Sequence, residues 1–110
     1  MQAGDIVQID FGVPIGSEPG GQRPAIVVTA SIHLEANPRT LHVVPLTTNT
    51  RRSMLSEVEI SRDETDRPSV AQCHLCQLVS RQRVIETDGH NVGAALLAQI
   101  REVIGDLLDI

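Results

Sequence analysis

Aromatic side chains are almost missing from this 110-residue chain, which has one Phe, Phe11, and neither Trp nor Tyr. Val, Ile and Leu must therefore fill the core. Stacking of nucleic-acid bases on a row of aromatic rings, common in single-strand binders, is excluded. Lysine is absent as well, and all nine basic residues are arginine. Arginine suits bidentate phosphate contact better than lysine does, and it is equally what a GC-rich genome would encode. No apolar run approaches the length of a membrane-spanning helix. The N-terminal residues lack the basic-then-apolar pattern of a signal peptide. A cytoplasmic protein with no membrane contact is the expectation.

Cysteine is scarce. Cys73 and Cys76 form a lone C-x-x-C, without the second pair that a zinc site would need. The surrounding Val70–Val79 segment reads as strand, where positions three apart face opposite sides, so the two thiols are expected not to converge. The common catalytic signatures are missing: there is no P-loop, G-x-G-x-x-G, H-E-x-x-H or G-x-S-x-G. His33, His42, His74 and His90 lack metal-like spacing, and neither a metal nor another cofactor is expected. The net charge is −5. That disfavours a general nucleic-acid binder but leaves room for a local arginine-lined cleft.

What is present reads as one small β domain over residues 1–110. Ile6–Phe11 is a strand candidate with partial alternation. Residues 12–22 hold several Gly and Pro and form a loop. Ala25–Ala30 is a β-branched run, a buried strand. Residues 31–39 contain the turn signal Asn37-Pro38. Leu41–Thr47 is a third strand, and Pro45 inside it implies an edge or a bulge. Thr48–Ser53 is a polar loop, Glu57–Ile60 alternates strictly, Asp63–Pro68 is a charged turn, and Ser69–Val79 is a further strand region with room for a bend. Ala94–Leu108 is amphipathic, with Leu96, Leu97, Ile100, Val103, Ile104, Leu107 and Leu108 on one face and Asn91 as a cap near its start. About five short strands and one terminal helix, acting as a lid, predict a mainly β fold: a small SH3-like barrel with a C-terminal α-helix. A chain this short buries a limited share of its surface, which favours a dimer.

Arg23 stands out among the polar residues. Pro24 pushes it toward extended geometry, which places a guanidinium at the mouth of the scaffold beneath a loop carrying Ser17 and Glu18. It serves either as a phosphate clamp that stabilises a pentacoordinate transition state or as a structural partner of Asp5, Asp10 or Glu18. Thr47 and Thr48 close the third strand. Their hydroxyls either reflect β propensity or hold a phosphate oxygen or a ribose 2′-OH.

In order along the chain, G-D-I-V-x-x-D-F, G-S-E-x-x-G-x-R-P-A-I-V-V, V-V-P-L-T-T, V-E-I, R-P-S-V-A-x-C and the apolar terminal helix resemble the MazF/PemK family of toxin endoribonucleases. The resemblance covers nearly the whole chain. It implies an SH3-like/CcdB-like barrel, a homodimer, and metal-independent cleavage of single-stranded RNA through attack of the ribose 2′-OH. The products would be a 2′,3′-cyclic phosphate and a 5′-OH, and a cognate antitoxin peptide would occupy the RNA groove. It also implies Arg23 and Thr47 as the catalytic pair. Ser17, Glu18, Gln22, Thr48, Asn49, Arg51 and His74 are the substrate-binding candidates, with Arg52 and Arg81 as further RNA grips.

The chain departs from the family at three places. Gln8 stands where an aromatic is frequent. Ser17 and Gln72-Cys73-His74 replace the His and Arg-x-Asp set of the PemK branch. His74 replaces an acidic residue, and it serves either in proton transfer or as a specificity or dimer-surface residue. Two other readings stay open: a gyrase-binding toxin of CcdB type, disfavoured by the Gly105–Ile110 ending, and a degenerate homologue that still binds an antitoxin. The recognised RNA sequence depends on loops 12–22 and 48–56.

Overall fold

A computed structural model describes residues 1–48, 55–60 and 69–110. Seven antiparallel strands and a C-terminal helix make up most of it: β1 (Asp5–Asp10), β2 (Gln22–Val27), β3 (Thr40–Thr47), β4 (Glu57–Ile60), β5 (Ser69–Gln72), β6 (Gln77–Ser80), β7 (Val84–Asn91), and the helix Ala94–Leu107. A one-turn helix, α1 (Ser31–Leu34), follows β2, so the C-terminal helix is α2. The strands lie in the order β4-β5-β3-β2-β1-β7, with β6 also paired to β3. Among the described residues no pairing joins β4 to β7, so the sheet is barrel-like and not fully closed.

The β-branched runs bury both faces. Side chains alternate along a strand, so neighbouring residues enter different clusters. Ile6, Ile26, Val44 and Leu46 join Val58, Ile60, Ala71, Cys73, Leu97 and Ile100 in one cluster. Val7, Ala25, Val27, Leu41 and Val43 join Ile9, Leu34 and Val79 in another. Helix α2 covers the first cluster with Leu97 and Ile100, supported by Leu96, Val103 and Ile104. Leu107 and Leu108, expected on the same face, are exposed. Leu34 of α1, Phe11 and Val84 close the second cluster.

β3 is central because it changes partners along its length. Thr40–Val43 pair with β6, Val43–Pro45 with β2, and Leu46–Thr47 with β5. Pro45 is therefore neither at a sheet edge nor exposed. It falls in the interval between the β6 and β5 pairings, where a residue that donates no hydrogen bond is accommodated.

Three expectations are corrected here. Ser69–Val79 is not a continuous strand: a 3₁₀ turn, Cys73–Leu75, separates β5 from β6. In such a turn residues three apart eclipse one another, and the Cys76 N–H donates to the Cys73 carbonyl at 3.1 Å. The two thiols thus share a side. Both are free. Burial, followed by the neighbouring Cys76, pushes the Cys73 thiol up to about 11, and burial raises Cys76 too. Thiols held protonated in this way are poor nucleophiles. Second, seven strands are described where about five were expected: β7 lies beside β1 although most of its residues are exposed. Third, Asn91 belongs to β7 and is not the α2 cap. The cap position is Gly93, at φ 85°. Asn91 orders the approach instead: its Oδ1 accepts from the Gly93 N–H at 2.8 Å, and its Nδ2 donates to Asp5 at 2.9 Å. The expected charged turn at Asp63–Pro68 lies outside the described residues.

Candidate active site

Arg23 sits near the start of β2, half-buried, opposite Ile9 of β1. Its Nη2 donates twice, to the Leu46 carbonyl at 3.0 Å and to Gln72 Oε1 at 2.7 Å. One amino group of the fork is thereby tied to β3 and β5. A guanidinium carries five N–H donors; Nη1 and Nε keep three that no described residue takes up. None of the carboxylates weighed as structural partners reaches Arg23. Asp5 accepts from Gln2 and Asn91, Asp10 from Gly12, and Glu18 from Ile15. Burial pulls the Arg23 pKa down from its ordinary value, yet the group stays cationic at neutral pH. The arrangement is an anchored positive charge that no carboxylate compensates among the described residues.

Thr47 ends β3, one residue beyond the carbonyl that holds Arg23, and pairs with Val70. Thr48 follows it and is exposed. Gln22 is exposed beside Arg23 and faces Asp10 across the β1–β2 pair. Asn49, Arg51 and Arg52 lie outside the described residues.

The β1–β2 loop meets the 3₁₀ turn. A groove of about 390 Å³ is lined by Ser17, Glu18, Pro19, His74, Leu75, Cys76 and Gln77. Three of the sequence candidates, Ser17, Glu18 and His74, thus come together. The loop closes on itself: Glu18 N–H donates to the Ile15 carbonyl at 3.2 Å, and Ile15 N–H returns to Glu18 Oε1 at 3.0 Å. Gly20 lies where a Cβ would come within 2.5 Å of the Pro14 ring, so only glycine lets the two halves of the loop approach. On the other wall, His74 Nδ1 lies 3.0 Å from Ser56 Oγ. Ser56, 7% exposed, is one of the few buried polar residues described.

Arg81 is not part of this assembly. It belongs to a separate recess with Asn37, Pro38, Arg39, Ser80 and Gln82. That recess lies at the first end of β3, where Thr40 pairs with Ser80, whereas Thr47 stands at the other end of this eight-residue strand. Four of the five described arginines donate to backbone carbonyls: Arg23 to Leu46, Arg81 to Pro38, Arg83 to Asp10 and Arg101 to Val28.

Gln72 and Ser56 are the residues that sequence reasoning missed. Gln72 was noted only as part of the Gln72-Cys73-His74 departure from the PemK branch, with no role of its own. Ser56 carried no signal, because its role depends on a turn eighteen residues later.

A curled antiparallel sheet, covered by a C-terminal helix, presents one anchored arginine next to the strand end that carries Thr47. The family model of PemK-like, MazF-like toxins of type II toxin–antitoxin systems matches residues 2–108, and the chain belongs to that family. It is 31% identical to endoribonuclease MazF9 of Mycobacterium tuberculosis, over all of this chain and 98% of that protein. The fold is similar to MazF from Deinococcus radiodurans, with a TM-score of 0.84 at 23% identity, covering 100% of this chain and 97% of that one. It is also similar to an endoribonuclease solved with its cognate antitoxin from a mycobacterial species, with a TM-score of 0.77 at 18% identity, covering 100% and 96%. The CcdB-type reading is not favoured. No helix among the described residues is long and apolar enough to cross a membrane.

Proposed function

We propose that this chain is a toxin endoribonuclease that cuts single-stranded RNA at a short sequence without a metal ion. The 2′-OH attacks the adjacent phosphorus, and the bond to the 5′-oxygen breaks. The 2′-proton passes to a base, and the departing oxygen takes up a proton. The products are a 2′,3′-cyclic phosphate and a 5′-OH. The observation that carries this reading is Arg23, held by Nη2 alone and without a carboxylate partner among the described residues. Its remaining N–H groups stabilise the charge that grows on the phosphorane oxygens, work that preorganised donors do well in a partly desolvated site. Thr47 orients the phosphate. Its hydroxyl is too weak a base at neutral pH to abstract the proton. Ser17, Glu18, Gln22, Thr48, Asn49, Arg51 and His74 contact the RNA.

The protein acts in the cytoplasm as a homodimer, and a cognate antitoxin peptide competes for the RNA site. The test is incubation of wild type and Arg23→Ala with a long single-stranded RNA in EDTA, with the cut ends mapped. Cleavage at one short motif with cyclic ends, lost in the variant, is the expected result. A folded wild type that cuts nothing overturns the reading.

A further inference from the structure

We propose that the groove between the β1–β2 loop and the Cys73–Leu75 turn is a subsite that reads a guanine base, with Glu18 as the reader and His74 as the stacking surface. This rests on the RNA-cleaving reading and names what the groove selects.

The volume, about 390 Å³, falls within the range of small-ligand sites, roughly 300–1,000 Å³. Pro19, Leu75 and Cys76 supply apolar wall. Burial keeps the Cys76 thiol protonated, which leaves Glu18 as the negative group of the lining. Unstacked RNA bases are held by aromatic or imidazole rings and read along their edges. The one Phe of the chain, Phe11, packs against the second core cluster. His74 is therefore the ring that this groove offers. The bond from its Nδ1 to buried Ser56 fixes the plane of that ring.

Glu18 is fixed in its turn. Ile15 N–H occupies one lone pair of Oε1, and Oε2 remains an acceptor. A carboxylate accepts and does not donate. On its Watson–Crick edge guanine offers two adjacent donors, N1–H and the 2-amino group. Adenine, cytosine and uracil each offer one donor beside acceptors, which a carboxylate repels. Guanine is the base this lining selects. His74 lies two residues past Gln72, the side chain that holds Arg23, so the guanine read here is a near neighbour of the scissile phosphate.

The experiment offers the full-length protein a pool of randomised 2′-fluoro RNA hexamers, which cannot undergo 2′-OH attack, and sequences the retained fraction. Guanine should be enriched at one position by roughly tenfold or more, the discrimination expected of a bidentate contact. Inosine there, lacking the 2-amino group, should bind several-fold more weakly. Glu18→Gln keeps the bond from Ile15 and should lose the guanine preference. His74→Ala should weaken binding of all hexamers while keeping that preference. Retention without guanine enrichment, no retention at all, or a preference that survives Glu18→Gln overturns the proposal. Guanine-selective binding by a wild type that cuts no natural RNA would overturn the nuclease reading and leave this one standing. Cleavage without guanine preference would do the reverse.

Discussion

Gln72 separates two roles that Arg23 could have, because its side chain can be changed in two opposite senses. Gln72→Ala removes the acceptor 2.7 Å from Nη2 and leaves only the Leu46 carbonyl to hold the fork. A hydrogen bond to a charged group contributes about 1.5–3 kcal/mol, and a reacting group displaced by about 1 Å can lose on the order of 10²-fold in rate. The expected variant is modestly less stable and cuts 10- to 100-fold more slowly. Gln72→Glu keeps an acceptor in the same place and adds a negative charge. At an effective dielectric near 20, two charges about 4 Å apart attract by about 4 kcal/mol. Half-exposure screens this, and a net gain of about 1 kcal/mol or less is realistic. The position of Arg23 is preserved, but its charge is neutralised before the phosphate arrives. Removal of one preorganised donor to a developing oxyanion costs about 10²–10³ in rate, and neutralisation should act on the same scale. Gln72→Glu should therefore melt at or above the wild-type temperature while cutting at least 100-fold more slowly. The assay pairs single-turnover cleavage of one RNA substrate with thermal unfolding. A Gln72→Glu protein as fast as wild type, beside an inert Arg23→Ala, would refute the claim that the uncompensated charge is what matters.

Gly20→Ala should drive the Pro14 ring away and distort the β1–β2 loop; RNA binding should weaken several-fold with little change in melting, as fluorescence anisotropy would report. Ile100→Ala, at a fully buried position of α2, should cost about 2–5 kcal/mol, read from urea unfolding. The Cys73 thiol, 1% exposed and raised from 9.0 to about 11, favours folding while it is protonated. That contribution is complete below about pH 9 and lost as pH rises through 11, a swing on the order of 2–3 kcal/mol. Stability measured from pH 8 to 11.5 should fall less steeply in Cys73→Ala, and parallel curves would contradict the burial argument.

The strands with apolar or alternating patterns were legible because burial imposes a period: Ile6 to Phe11, Ala25 onward, Leu41 to Thr47 and Glu57 to Ile60 each lie on or overlap a strand. The apolar face of α2 was legible for the same reason. β7 was not, since Val84–Asn91 lies largely on the surface and burial wrote no pattern into it. The turn at Cys73–Leu75 was hidden because Val70–Val79 has strand composition throughout; the break follows from β3 pairing with β5 and β6 in succession. At the candidate site, Arg23 could be singled out from its Pro neighbour. Its tie to Gln72 could not, because forty-nine residues separate the two. The groove shows the same division: Glu18 and His74 were candidates by motif position, whereas their meeting depends on the folded loop and turn.

The way the arginines are held separates two quantities that are usually read as one. The net charge of −5 governs migration in an electric field and adsorption to an ion-exchange resin. A phosphate approaching the surface meets something else, because a carbonyl dipole fixes a guanidinium in place without cancelling its charge. This chain would thus run toward the anode as an acidic protein and still hold a polyanion in a salt-sensitive way. A carboxyl-rich segment of a partner would compete for the same arginines, which no carboxylate pairs among the described residues.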